Sequence, residues 1–597
     1  MSLPNPHLRW AVILTLLVAL LPAVLLGSFV ARWGVKVPML DDWEMAPLIV
    51  KAHTGTLTWA DLFAQQEEAR TIVPKVIFIL SSLGGEWDVR EQMLLSVVIC
   101  ALTVAGLYLL LRRSRLGVAG TAICLWVSAL LIFSPAQFEL WLFASGFPSF
   151  LPVLFIVAAW LVLEARWGLG WRFGVAAGLA VLSTFTLAHG MLAWGLTFPL
   201  YLLGGGVRRW GRWLLGWTAA AGLCVAAYFY GYAKPAHLPE FGPVIPLLDY
   251  GRFFVAFQGG SFAYAWREQP VMVAEISGTV LVLLFTLAAV WWLVRWKQIE
   301  ERRAVLPWVA LALYALGSGA LATLGRVGYG IPYAISSRYV TFSLYLVVSL
   351  VVLVALWMRE IWRVPAGWRL RVISVAMCAV LLAAGVSLYV GAFGRTVRFM
   401  HSMSARHALA RVAIVFSPVI DNREVIRKFN YPAPERALEF ATPLHAMGLL
   451  QPPLVQSQDI TPLQRAEGSG AWEELAPGEG ETMQAAGWAV LPGRRKPVDA
   501  VLLAYETPER EWIAFAISDA VVRRRDVARR LREPDLTWCG WAADFPRGAV
   551  PAGARLSAWA VATDGPRLYR LPDSLQQEQS EPAAEVSAGQ PPGDGLQ

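Results

Sequence analysis

Long uninterrupted apolar runs set the layout of the chain. They recur near residues 10–31, 92–111, 117–134, 149–165, 173–188, 190–205, 213–232, 276–294, 305–324, 340–358 and 372–391. Most approach the roughly 20 residues that a helix needs to cross a bilayer. The expected fold is mainly α, a polytopic membrane domain of about eleven spans over residues 1–392. Between the first two runs lies a loop, residues 32–91, with a pattern of its own. Residues 43–52 mix apolar and charged positions as an interfacial helix does, and Thr54-Gly55-Thr56 breaks it. Thr58-Trp59-Ala60-Asp61 then has the capping-box form of a second short helix.

Beyond residue 392 the pattern changes. Residues 393–480 read as a helical linker region, with Ala408, Leu409, Val412, Val415 and Phe416 spaced for a helix within 402–430. From Met483 five strand-like runs follow (MQAAGWAVL, VDAVLLAYE, EWIAFAIS, TWCGWAADF and RLSAWAVAT), separated by turn residues. They predict a small β-sandwich at 481–572, making the tail α+β. Residues 573–597 are Gln, Glu, Pro, Ser and Gly without periodicity and are expected to be disordered.

Charge gives this layout a direction. The chain has 56% hydrophobic and 16% charged residues with a formal charge of +8. The arginines crowd alternate short loops: Arg112, Arg113 and Arg115; Arg166 and Arg172; Arg208, Arg209 and Arg212; Arg295, Lys297, Arg302 and Arg303; Arg359, Arg363, Arg369 and Arg371. That is the positive-inside pattern, and it argues against a nucleic-acid partner. It places the N-terminus in the cytoplasm. Loops 32–91, 135–148, 189–190, 233–275 and 325–339, with everything after 391, then face outward. The first run is longer than a signal-peptide core and reads as a retained anchor. Five scattered cysteines indicate neither a disulfide framework nor a zinc site.

The candidate chemistry sits on two outward loops. Asp41, Asp42 and Glu44 open the first, and Glu67, Glu68 and Arg70 close its polar part. Carboxylates at a membrane exit are costly unless partnered or functional. Neighbouring side chains diverge by about 100° on a helix, so one aspartate acts and the other supports it. Asp41-x-x-Glu44 also fits a capping box, which needs no catalysis. The late loop carries Gly325-Arg326-Val327-Gly328-Tyr329-Gly330 and Ser336-Ser337-Arg338-Tyr339. Guanidinium forks suit phosphate, and glycines let backbone amides approach an anion. A structural alternative has Arg338 pairing with Glu67 or Asp41. Acids facing arginines fit sugar transfer from a lipid-linked phosphate, whose departure calls for cationic stabilisation and no general acid.

An uncleaved first span, a first outer loop opening on an Asp pair, two surface helices and a body of ten or more spans resemble the GT-C glycosyltransferases. More narrowly, the chain resembles bacterial members whose first loop reads DDW, then G-x-L-T, then Gln-His-Asn-Glu-His-Arg. The matching positions are Asp41-Asp42-Trp43, Gly55-Thr56-Leu57-Thr58 and Gln65 to Arg70, and GRVGYG with SSRY resembles the late outer loop. Gln66 and Ala69 replace the two histidines. The resemblance implies an inverting hexosyl- or pentosyltransferase in a bacterial inner membrane, with the C-terminal domain periplasmic. Its partners would be a polyprenyl-phosphate sugar donor, an envelope glycan or glycolipid acceptor, and membrane lipids. Asp41 would be the base and Asp42 the second choice. Arg326 and Arg338 would hold the donor phosphate, Glu68 or Arg70 would orient sugar or acceptor, and Glu44 and Tyr339 would line the substrate site. No protein metal ligands and no cofactor are certain, and a divalent metal stays open.

Three other readings stand beside it. A lipid-linked sugar flippase predicts intramembrane charges and similar halves. A glycan polymerase or ligase predicts arginines in a central outer loop, where Lys234, Arg252 and Arg267 lie. The plainest is a scaffold displaying the β-domain. Gln137, Glu139, Trp141 and His189 are more readily interfacial anchors than cavity residues. Trp488, Trp541 and Trp559 are more readily core than sugar platforms.

Overall fold

The computed structural model describes residues 6–205, 210–235, 245–296, 302–363, 368–493, 496–563 and 567–572. Arg208, Arg209, Lys297 and the tail expected to be disordered, 573–597, lie outside the described residues. The chain forms two compact units, one of residues 1–404 with 446–451, the other of 405–445 with the described residues from 452 onward.

Among the described residues, eight helical segments are long and apolar enough to cross a bilayer. They are Trp10–Trp33, Arg90–Arg113, Gly117–Leu142, Ala144–Leu163, Pro270–Val294, Arg302–Tyr329, Ser337–Arg363 and Arg371–Phe416. The other three apolar runs differ. Run 173–188 is a helix of 16 residues, Leu169–Thr184, and run 213–232 is one of 19 residues, Gly211–Phe229. Run 190–205 is broken into a 3-10 turn, Ala188–Leu192, and the short helices Ala193–Leu196 and Phe198–Leu203. Thr197 between them has φ −111° and ψ −95°, and Pro199 has no amide hydrogen to extend the preceding turn.

The loops sort to two ends of this bundle. At one end Arg113 pairs with Glu164 at 2.7 Å, Arg359 donates to the Ser114 carbonyl, and the Ser114 hydroxyl donates to the Ala304 carbonyl at 3.4 Å. These are loops rich in arginine. At the other end the Val73 amide donates to the Phe185 carbonyl at 3.1 Å, the Ser145 amide to Asp42 at 2.7 Å, and the Glu139 amide to the Ser337 hydroxyl at 3.2 Å. The acidic loop and the late arginine loop therefore belong to one end.

The second unit contains nine strands among the described residues. They are β1 (Gln464–Glu467), β2 (Ser469–Pro477), β3 (Thr482–Val490), β4 (Ala500–Glu506), β5 (Trp512–Ile517), β6 (Ala520–Val522), β7 (Gly540–Pro546), β8 (Leu556–Ala562) and β9 (Arg567–Arg570). They form a five-stranded sheet, β1-β9-β8-β4-β5, and a four-stranded sheet, β2-β3-β7-β6. Side chains of both sheets share one core, including Trp472, Trp541, Phe545, Val501, Leu503 and Ala560. That core is what makes the pair a sandwich. All five expected strands are present. β1 and β2 are a correction, because they fall inside the stretch read as a helical linker. The expected helix over 402–430 is also interrupted: one helix ends at Phe416 and the next spans Arg423–Phe429.

Trp541 and Trp559 are buried, as core residues should be, while Trp488 is half-buried beneath the Arg530 guanidinium, 4.9 Å from its ring centre. A buried ion pair joins Arg411 to Asp499 at 3.0 Å, and Asp499 also accepts from the Thr563 amide at 2.8 Å and hydroxyl at 2.6 Å.

Candidate active site

The first loop folds into short helices, as its pattern implies. Ala46–His53 ends at Thr54, and Gly55 (φ 71°) turns the chain. Trp59–Phe63 follows with the expected capping box: the Thr58 amide donates to Asp61 at 2.9 Å, and the Asp61 amide donates back to the Thr58 hydroxyl at 3.3 Å. Lys75, on the helix Ile72–Ser82, closes the other end of that turn. Its ammonium donates to the carbonyls of Asp61, Leu62 and Ala64 at 3.1, 3.3 and 2.6 Å, and burial pushes its pKa down to about 8.

The Asp41-x-x-Glu44 capping box does not form. Residues Leu40–Met45 make a 3-10 turn whose cap is Met39, and the Met39 amide donates to Asp42 at 3.1 Å. The capping carboxylate is thus Asp42. Leu40 takes φ 46°, a left-handed conformation unusual for a branched side chain. It is the residue through which the chain enters the turn.

This turn gives the two aspartates different environments. Asp42 is fully buried and accepts from three backbone amides: Met39 (3.1 Å), Ala144 (3.4 Å) and Ser145 (2.7 Å). Burial raises its carboxyl to about 6, against the amides, which favour the ionised form. Asp41 is solvent-accessible and has no hydrogen bond or ion pair among the described residues. Protein atoms crowd it nevertheless, and that desolvation raises its carboxyl above the ordinary range. The Arg338 charge pulls it back down, while Glu67, Glu44 and Glu68 push it up.

Ala144 and Ser145 open a 3-10 segment, Ala144–Ser149, packed tightly on the preceding helix Phe138–Leu142. A side-chain carbon on Gly146 would lie 2.1 Å from the Leu140 carbonyl oxygen, so only glycine fits there.

On the late loop, Arg326 ends its helix and forms an ion pair with Glu68. Gly330 (φ 88°) joins two 3-10 turns, Val327–Tyr329 and Ile331–Ile335. Gly325 is helical and Gly328 lies within a 3-10 turn, so the loop is not the glycine-lined anion nest its sequence implied. Arg338 stands in the first turn of the helix Ser337–Arg363. Its guanidinium lies over the Tyr333 ring at 5.2 Å and the Tyr339 ring at 5.7 Å, and it donates to the Tyr333 hydroxyl. Tyr339 is buried against Phe257, with ring centres 5.2 Å apart, and stays part of the cradle.

Residues 66–69 close a tight turn, with reciprocal amide bonds between Gln66 and Ala69 of 2.8 and 2.9 Å. Glu67 (φ 48°) and Glu68 are at its tip. The Thr71 hydroxyl donates to Gln66 at 2.8 Å, and Ala69 is buried, so both positions that depart from the histidine pattern serve the turn.

Arg70 is placed otherwise than expected. It is buried, and its guanidinium donates to the carbonyls of Tyr228 (2.6 Å), Phe63 (2.6 Å) and Tyr230. It also lies over the Phe63 ring at 4.5 Å. With those donors committed to backbone, Arg70 is a clamp between the first loop and the C-terminal end of Gly211–Phe229. His189 packs on Phe342, with ring centres 4.5 Å apart, and Arg252 pairs with Glu275 at 2.9 Å.

The arrangement therefore brings Glu44, Glu67, Glu68 and Arg338 within electrostatic reach of Asp41, with Arg326 tied to Glu68. It can take a proton at Asp41 and hold an anion at Arg338. Sequence reasoning missed the amides of Ala144 and Ser145, which leave no side-chain signature, and Tyr333, whose position five residues before Arg338 was the available signal. No protein-family model, curated protein or solved structure matches the chain.

Proposed function

We propose that the chain is a membrane glycosyltransferase that moves a sugar from a polyprenyl-phosphate donor to an envelope glycan or glycolipid acceptor, with inversion at the anomeric carbon. The observation that carries this reading is the unbonded Asp41 carboxylate within electrostatic reach of the aromatic-cradled Arg338. The acceptor hydroxyl gives its proton to Asp41 as its oxygen attacks the anomeric carbon. The bond from that carbon to the phosphate oxygen breaks, and polyprenyl phosphate leaves as an anion beside Arg338. Desolvation of Asp41 makes its carboxylate a stronger base than an ordinary aspartate, which suits proton removal from an alcohol.

Asp42 is the positioning member of the pair, and its amide bonds hold the turn on which Asp41 stands. Glu44, Glu67 and Glu68 surround the acceptor side with negative charge. Arg326, neutralised by Glu68, secures the edge of the site, leaving Arg338 as the main phosphate ligand. The inner-membrane location, with the site on the outer face and the N-terminus in the cytoplasm, rests on the loop arginines and the long apolar helices.

The test is transfer by purified protein in nanodiscs supplied with polyprenyl-phosphate sugars and envelope glycolipids. Asp41→Asn should lower kcat by at least about 10²-fold while leaving donor binding nearly intact. Undiminished turnover in that variant removes Asp41 as base and the reading with it.

A further inference from the structure

The segment between Ser134 and Ser149 touches both halves of the candidate site. At its far end the Ala144 and Ser145 amides hold Asp42, next to Asp41. At its near end Glu139 is bonded in both directions to the start of the helix Ser337–Arg363: its amide donates to the Ser337 hydroxyl at 3.2 Å, and its carboxylate accepts from the Arg338 amide at 3.3 Å. Two residues earlier, buried Gln137 donates to the Ile132 carbonyl at 2.8 Å and accepts from the Thr341 hydroxyl. One short stretch of chain therefore grips the turn that carries Asp41 and Asp42 and the first turn of the helix that presents Arg338.

We infer that Glu139 is a positioning residue for the anion site: it fixes the Arg338 turn by accepting its amide, and through the same segment fixes the spacing between the Arg338 guanidinium and the Asp41 carboxylate. The inference rests on the phosphate-binding part of the proposed function. An unpaired first-turn amide on Ser337–Arg363 needs an acceptor, and a side chain from another element ties that helix start to its neighbour as a cap from the same chain segment cannot. The carboxylate also places a negative charge near Arg338 without contacting its guanidinium, which stays over Tyr333 and Tyr339. Glu139 thus positions Arg338 and leaves the guanidinium donors not bonded to Tyr333 for a ligand.

The experiment uses full-length protein in nanodiscs, with polyprenyl phosphate as the probe. It reads two quantities: probe affinity, and hydrogen exchange of amides 337–341. Glu139→Ala should speed exchange there and weaken probe binding roughly tenfold, the loss of one charge-assisted bond. Glu139→Gln, which keeps an acceptor oxygen, should restore slow exchange and most of the affinity. Unchanged exchange in Glu139→Ala overturns the inference, as does faster exchange with unchanged affinity, which is a purely structural cap. If the wild type binds the probe but transfers no sugar, the transferase reading falls, while the Ala and Gln comparison still decides the role of Glu139.

Discussion

Asp41 and Asp42 are consecutive in the chain and opposite in commitment: Asp42 receives three backbone amides in a buried pocket, while Asp41 receives none and faces solvent. The 3-10 turn is responsible, because it directs successive side chains to different sides. One carboxylate builds the turn, and the other is displayed by it.

Asp42 makes stability depend on pH with a definite sign. Its folded pKa of about 6 lies above the ordinary 3.8, so the folded protein holds this proton more tightly than the unfolded chain. Its contribution to stability is greatest below pH 3.8, declines as pH rises toward 6, and is level above. Asp42→Asn should remove that decline. Asn also turns an amide group toward backbone N–H donors, costing about 1–3 kcal/mol. Thermal unfolding of both proteins between pH 4 and 7 checks this; parallel curves would assign the slope elsewhere.

The acid limb of kcat/KM should report Asp41. Its carboxyl is raised by desolvation, so activity should appear above the pH at which an ordinary aspartate ionises. Arg338 acts in the opposite sense by favouring the carboxylate. Removing that charge in Arg338→Ala should therefore move the acid limb to higher pH, in addition to raising the donor KM. An acid limb that moves to lower pH contradicts the pairing of these groups.

Gly146→Ala is expected to destabilise the protein by about 1–3 kcal/mol, because the added carbon meets the Leu140 carbonyl at 2.1 Å. The displaced segment carries the Ala144 and Ser145 amides, so activity should fall with stability. Gly55→Ala makes an informative comparison: its added carbon meets nothing within 4 Å, and only its positive φ is strained.

In the second unit, Arg411→Met should cost about 3–5 kcal/mol, because Asp499 would remain buried with only the Thr563 bonds. Denaturant unfolding of the full chain, followed by tryptophan fluorescence, reads this directly. Replacing both partners with apolar residues should recover much of the loss.

Much of this was legible because the signal was periodic. Apolar runs of bilayer length announced the long helices, and alternating runs announced β3, β4, β5, β7 and β8. The stretch at 190–205 was apolar enough for a span, but Pro199 and the conformation of Thr197 broke it, and hydropathy does not see backbone geometry. β2 escaped notice because Glu473, Glu474 and Leu475 are all exposed, which spoils the alternation. At the site, the acids and arginines were found by type and loop position. Their division of labour was not, because it turns on backbone amides at 144 and 145 and on carbonyls at 63, 228 and 230. Arg70 shows this most clearly: a cation in a polar loop reads as a ligand contact until its carbonyl partners are seen.

The Arg70 clamp has a consequence for how this chain can vary. Its guanidinium grips main-chain oxygens of Phe63, Tyr228 and Tyr230, groups that every residue type supplies. Substitution at 63 or 230 leaves those acceptors in place, whereas inserting or deleting a residue in either segment removes them. The join between the first loop and the 228–230 segment is therefore tolerant of spelling and intolerant of length, and natural variants should differ there in composition while keeping the same residue count.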